Sequence, residues 1–205
     1  MIIMNKKLSV QNLYKLYIKH HKSAAEIAKI IGCKERKVHY WLDKHNIPKR
    51  TISDAIYIKK NPKGDPFRVK DTLTAEDREL FGLGLGLYWG EGTKSNKGTI
   101  RLGNTDPALI EKFIEFLVKI YGIKKKDLKF GLQIFSDMSP EKALQFWLKC
   151  LKVDRSQFQK IIVTQKRGDG TYKNKIKHGV LTVHYNNKKL RNIIGKELEK
   201  YGTIN

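Results

Sequence analysis

Only two cysteines occur in the 205 residues, Cys33 and Cys150, far apart and each inside an apolar helical pattern. Neither a disulfide framework nor a zinc site follows from them. Long apolar runs are missing as well: the longest, Leu80 to Gly90, has 11 residues, where a membrane span needs roughly 20. The N-terminus has no apolar core followed by a small-residue cleavage site, so an intracellular location, cytoplasm or nucleoid, is expected. Acid is scarce relative to base. Twenty Asp and Glu face 42 Lys and Arg, a formal charge of +22 and a pI near 9.9. Solubility needs far less than that, and a polyanionic partner is implied, nucleic acid being the commonest.

What is present suffices for a packed core: 40% hydrophobic residues and 10% aromatic residues in a chain of 23.8 kDa point to one medium domain and a small one. The charge is unevenly spread. Residues 1–70 hold 17 basic and 5 acidic side chains, residues 71–151 hold 12 and 11, and residues 152–205 hold 13 and 4. Two basic flanks thus enclose a near-neutral centre; the flanks suit phosphate contacts and the centre suits packing or cation binding.

Residues 8–56 are expected to form the small domain, with three short helices between Val10 and Ile56. Leu13, Leu16 and Tyr17 mark the first. Ala25, Ile27, Ala28, Ile30 and Ile31 mark the second, capped by Ser23 with Glu26 three residues on and ended by Gly32. The third runs from about Lys34 to Lys44, with Val38, Trp41 and Leu42 on its apolar side. Helix, tight turn and a helix presenting Arg36, Lys37, Tyr40 and Lys44 form a helix-turn-helix layout, whose second helix enters the major groove of DNA. The segment SAAEIAKIIGCKERKVHYWLDKHNIPKR resembles that family over its whole length; the alternative is a three-helix packing module with a solvated basic face. Lys49 and Arg50 follow as further DNA-binding candidates. Residues 57–73, basic and broken by prolines and a glycine, read as a linker or arm, either lying along a groove or serving as a plain tether. His20, His21, His39 and His45 have no metal-ligand partners in the pattern.

The larger domain is expected over residues 74–205. Thr74 and Asp77 make a capping-box-like start for EDRELFGLGLGLYWGEGTK. A glycine inside a helix costs roughly 1 kcal/mol relative to alanine, so Gly82, Gly84, Gly86 and Gly90 need an offsetting gain. Gly82, Gly86 and Gly90, spaced four apart, make one smooth ridge along which a second helix backbone can approach closely. Leu83 and Leu87 flank that seam, while Leu80, Phe81, Leu85 and Tyr88 face the rest of the domain. At the end of the ridge stands Glu91, the only carboxylate between Glu79 and Asp106. Meeting its counterpart at the crossing of two helices, it would be repelled unless a cation lay between the two, most plausibly Mg²⁺.

LGLGLYWGEG resembles the LAGLIDADG motif of homing endonucleases, with residues 86–92 over its GLIDADG portion. The resemblance implies that motif helices pack against each other and that the last acid of the motif binds the metal that activates water for phosphodiester cleavage. Glu91 stands in that acid's place, with Gly90 beside it in the metal site; Trp89 replaces the motif's other Asp. After the motif come an expected strand at 99–104, a helix from Asp106-Pro107 to Gly122, a strand at 128–135, a helix from Ser139-Pro140, strands at 158–166 and 179–185, and a last helix at 187–201. This order implies an α+β fold: LAGLIDADG-like helices packed on a largely antiparallel sheet, preceded by the three-helix domain.

Alternation within the strands gives each an oily and a mostly polar face. Arg101, Lys129, Gln133, Lys160, Thr164, Lys166, Arg167 and His184 are the DNA-binding candidates from this domain, an ordinary solvated face being the alternative. Asp169 in the connection 167–177 reads as turn chemistry rather than as a second catalytic acid. Only one motif copy occurs, since the helix from Glu141 to Leu151 is too bulky to repeat the ridge. A homodimer through residues 80–90 supplies the second copy; the alternative is a pseudo-twofold monomer whose second half has lost it. Three functions are carried forward: a Mg²⁺-dependent site-specific DNA endonuclease with Glu91 catalytic, a non-cleaving sequence-specific transcription regulator on the same scaffold, and an RNA-binding splicing helper.

Overall fold

The computed structural model describes residues 9–166 and 176–202. Two compact units divide between Asp65 and Pro66. Together the described residues form eight α-helices and a four-stranded, mostly antiparallel sheet, a mixed α+β architecture.

In the first unit, α1 (Val10–Tyr14) runs into a π-helical turn, Lys15–Lys19, and is followed by α2 (Ala24–Ile31) and α3 (Glu35–Lys44). The capping box at α2 forms fully: the Ser23 Oγ accepts from the Glu26 amide, and the Glu26 carboxylate accepts from the Ser23 amide. Gly32 ends α2 in the left-handed region, at φ 75°. Leu13, Tyr17, Ile27, Ala28, Val38, Leu42 and Ile47 close a small core. A fourth helix, α4 (Ile52–Lys60), follows. No apolar periodicity marks it because α4 buries no residue; its signal is the Thr51 side chain capping the Asp54 amide.

The second unit begins where an arm was expected, and residues 66–73 belong to it. Phe67 is buried in the main core, and the Arg68 and Lys70 amides donate to the carbonyls of Tyr121 and Ile120. Gly122 makes that pairing feasible, since a Cβ there would lie 3.1 Å from the Arg68 carbonyl oxygen. Lys70 then pairs with Asp77, which closes the Thr74 capping box at the start of α5 (Ala75–Glu91).

The remaining order is β1 (Ile100–Asn104), α6 (Pro107–Tyr121), β2 (Lys129–Phe135), α7 (Pro140–Leu151), β3 (Ile162–Thr164), β4 (Val180–Tyr185) and α8 (Lys188–Glu199). The strands lie β1-β4-β2-β3, antiparallel except for β2 with β3. The expected strand 158–166 shrinks to three residues, because a 3₁₀ turn occupies Arg155–Gln157 and Phe158 makes only an isolated bridge to Phe130. The oily strand faces, including Ile100, Leu102, Phe130, Leu132, Leu181 and Val183, share one core with α6. Ile110, Phe113, Phe116, Leu117 and Ile120 line the buried side of that helix.

Candidate nucleic-acid interface and its acidic end

The glycines of α5 divide between two faces. Gly84 points inward, where a Cβ would sit 2.1 Å from the Phe116 ring, so its absence lets α5 and α6 pack closely. Gly82, Gly86 and Gly90 point outward, where an added Cβ would meet nothing within 4 Å. Leu83 stands beside them 46% exposed, and Trp89 44% exposed, while Leu80, Leu85 and Tyr88 are buried. The outward ridge therefore lies where the spacing placed it. The inward role of Gly84 was missed; its position two residues out of phase with the ridge was the available signal.

Glu91 is the last residue of α5 and is exposed, and its carboxylate takes no hydrogen bond or ion pair from the described residues. A carboxylate at the negative end of a helix dipole is disfavoured by about 0.3–1 kcal/mol at the surface, so the position attracts a cation. Lys94 supplies one nearby through its ammonium, which donates to the Trp89 carbonyl. Gly92 turns the chain back over the Tyr88 ring, where a Cβ would be 2.3 Å from the ring, and bridges to Leu102 of β1. Three bonds hold the exit: the Thr93 amide donates to the Arg101 carbonyl, the Tyr88 hydroxyl to the Thr93 carbonyl, and Arg191 of α8 to the Lys94 carbonyl. Burial raises the Tyr88 phenol above its ordinary value, keeping it a donor. The residue after Glu91 thus enters the sheet edge beside Arg101.

Across the sheet front, register aligns Arg101 of β1 with His184 of β4, and His184 with Lys129 of β2. The next row is Gly103, Thr182 and Gly131, a low floor with one hydroxyl. Sequence alternation put these three on the polar face without marking them as a site. Burial, and then the neighbouring Arg101 cation, lower the His184 pKa. Lys129 is exposed and its ammonium reaches the Ser156 carbonyl at 3.3 Å. Gln133 is exposed on the same face, in register with Val180 and Ile162. The other candidates are less united. Lys160 is exposed just before β3, the Thr164 hydroxyl donates to the Ile134 carbonyl, and the Lys166 amide donates to Ser136. Arg167 and Asp169 lie outside the described residues.

In the first unit, Arg36, Lys37, Tyr40 and Lys44 are all exposed on α3, with the Lys44 ammonium 4.8 Å from the centre of the Trp41 ring. Trp41, expected in the core, is half-buried and stacks on His45. Lys49 pairs with Asp43 at 2.7 Å. The Arg50 guanidinium stacks on Tyr17 at 4.1 Å and donates to the carbonyls of Tyr17, His21 and Lys22, so it fastens the end of the π turn.

No three His, Cys, Asp or Glu side chains converge among the described residues, and no helix among them is long and apolar enough to cross a membrane. Comparison with known proteins finds no match to the chain, whether among family models, curated proteins or solved structures.

Proposed function

We propose that the chain is a site-specific DNA endonuclease of LAGLIDADG type that works as a homodimer. The observation that carries this reading is the outward ridge of Gly82, Gly86 and Gly90 on α5, ending in Glu91, which has no partner among the described residues, at the edge of a basic sheet face. Two such ridges packed together bring two Glu91 carboxylates close to one another. Mg²⁺ is held through one or two carboxylates plus substrate phosphates, and one exposed Glu91 from each copy fits that donor set. Bound there, the ion would supply Lewis-acid charge neutralisation and an activated water.

This chain's residues do the remaining work. The bonds at Thr93 and Lys94 hold the backbone that follows Glu91, and the front face grips the duplex beside it. The exposed basic face of α3 reads the major groove in the manner of a helix-turn-helix. Arg36, Lys37, Tyr40 and Lys44 make those contacts. Trp89, where the motif has a second acid, favours one other reading, a regulator that binds the same DNA without cutting it.

Selecting bound and cut molecules from a randomised duplex library in Mg²⁺ tests the proposal. Wild type is expected to yield a shared, roughly palindromic cut site, while Glu91→Gln binds that site and leaves it whole. Shared binding without cutting by either protein would leave the regulator reading standing.

A further inference from the structure

Building on the nucleic-acid reading above, we infer that the row Arg101, His184 and Lys129 seats one phosphodiester group of duplex DNA, and that His184 takes up a proton as the group arrives. The three residues occupy adjacent strands in direct register, so neighbours stand about 5 Å apart, within reach of a single phosphate. The floor beside them is low. A Cβ at Gly131 would lie 3.1 Å from the His184 Nε2, which shows the imidazole folded across β2 on the front of the sheet. Arg101 keeps a buried Nε with no hydrogen-bond partner among the described residues, and guanidinium donors suit phosphate oxygens.

The charged groups facing His184 among the described residues are Arg101 on β1 and Lys129 on β2, with the Lys129 ammonium drawn toward Ser156; its own strand contributes Thr182 two residues before it. The Gln159 amide oxygen reaches the same glycine floor, 3.8 Å from where a Gly131 Cβ would be. Burial, then the Arg101 cation, lower the imidazole's pKa and so favour its neutral form. An arriving phosphate offsets the arginine and accepts a hydrogen bond from the imidazolium, so the bound form titrates higher than the free form. By linkage, affinity tightens as pH falls, by at most about tenfold per pH unit between the two titration points.

The experiment measures duplex affinity from about pH 8 to about pH 6 at fixed ionic strength, with proton uptake read by calorimetry in two buffers of different ionisation enthalpy. Wild type should tighten as pH falls and take up a proton. His184→Gln should be nearly flat with pH and lose that uptake. Arg101→Met should raise the pH at which the free imidazole titrates by NMR and shrink the uptake. An unchanged slope and uptake in His184→Gln would overturn the seat while leaving DNA binding intact. If that variant fails to fold, the wild-type imidazole decides: a titration point that does not move up on adding duplex also overturns it. Failure of wild type to bind any duplex would overturn both the seat and the reading beneath it. A duplex RNA arm run in parallel separates the polyanions, since pH-linked tightening on RNA with none on DNA refutes the seat as stated.

Discussion

Replacing Gly84 and Gly86 with alanine, one at a time, should move stability in opposite directions, although the two residues are two positions apart on one helix. Alanine gains about 1 kcal/mol over glycine in a helix interior. At Gly86 nothing opposes the gain, since the new Cβ meets no atom within 4 Å. At Gly84 the Cβ would fall 2.1 Å from Cγ and 2.7 Å from Cβ of Phe116, atoms near the root of the side chain that cannot swing away. Overpacking a filled core costs typically about 1–3 kcal/mol, occasionally more, so Gly84→Ala should end net destabilised by up to about 2 kcal/mol. With about 2–4 °C per kcal/mol, the two variants should straddle wild type by several degrees. Urea unfolding followed by tryptophan fluorescence in a Trp41→Phe background reads the second unit alone through Trp89 and Trp147. Dilute protein keeps association out of the result. A neutral or stabilising Gly84→Ala beside a destabilising Gly86→Ala would refute the division of the glycines into inward and outward sets.

Sedimentation of the same proteins at higher concentration should show self-association weakened by Gly86→Ala, and more by Gly86→Leu, because the ridge loses its close approach. Asp77 is held down to about 2 from 3.8, first by the Lys70 hydrogen bond and then by the Thr74 amide. Its contribution is therefore full above about pH 4 and lost as pH falls through about 2; in acid unfolding, Asp77→Asn should remove that part of the pH dependence. Arg50→Met should destabilise the first unit by about 2 kcal/mol, the scale of hydrogen bonds to a charged group, yet leave the salt dependence of DNA binding unchanged in urea and binding titrations. Lys37→Ala should do the reverse, with unchanged stability and a salt slope shallower by about 1.

Caps and alternation carried most of the fold into view. Ser23 with Glu26, Thr74 with Asp77, Asp106-Pro107 and Ser139-Pro140 start helices where their chemistry requires, and Gly32 and Gly122 end two in the left-handed region. Three strands lie within a residue of their alternating patterns. What escaped depends on partners distant in the chain. Nothing local tells that Phe67 enters the second core, that Arg50 reaches back to Tyr17, or that β3 runs parallel to β2. Helix α4 escaped for the opposite reason, because Ile52 and Ile56 stay exposed and no buried stripe shaped its sequence. The outward placement of Gly82, Gly86 and Gly90 follows from their spacing of four, whereas the alignment of Arg101, His184 and Lys129 in one row needed the strand order.

Strand cleavage by mixtures of wild type and Glu91→Gln on the selected duplex in Mg²⁺ tests most directly the proposal that two copies of Glu91 cut DNA together. Wild type should cut both strands and the variant neither, and equal mixtures should lose most of the double-strand product, since about half of randomly paired dimers carry one carboxylate and about a quarter carry none. Undiminished double-strand cutting by Glu91→Gln, alone or in the mixture, would contradict it.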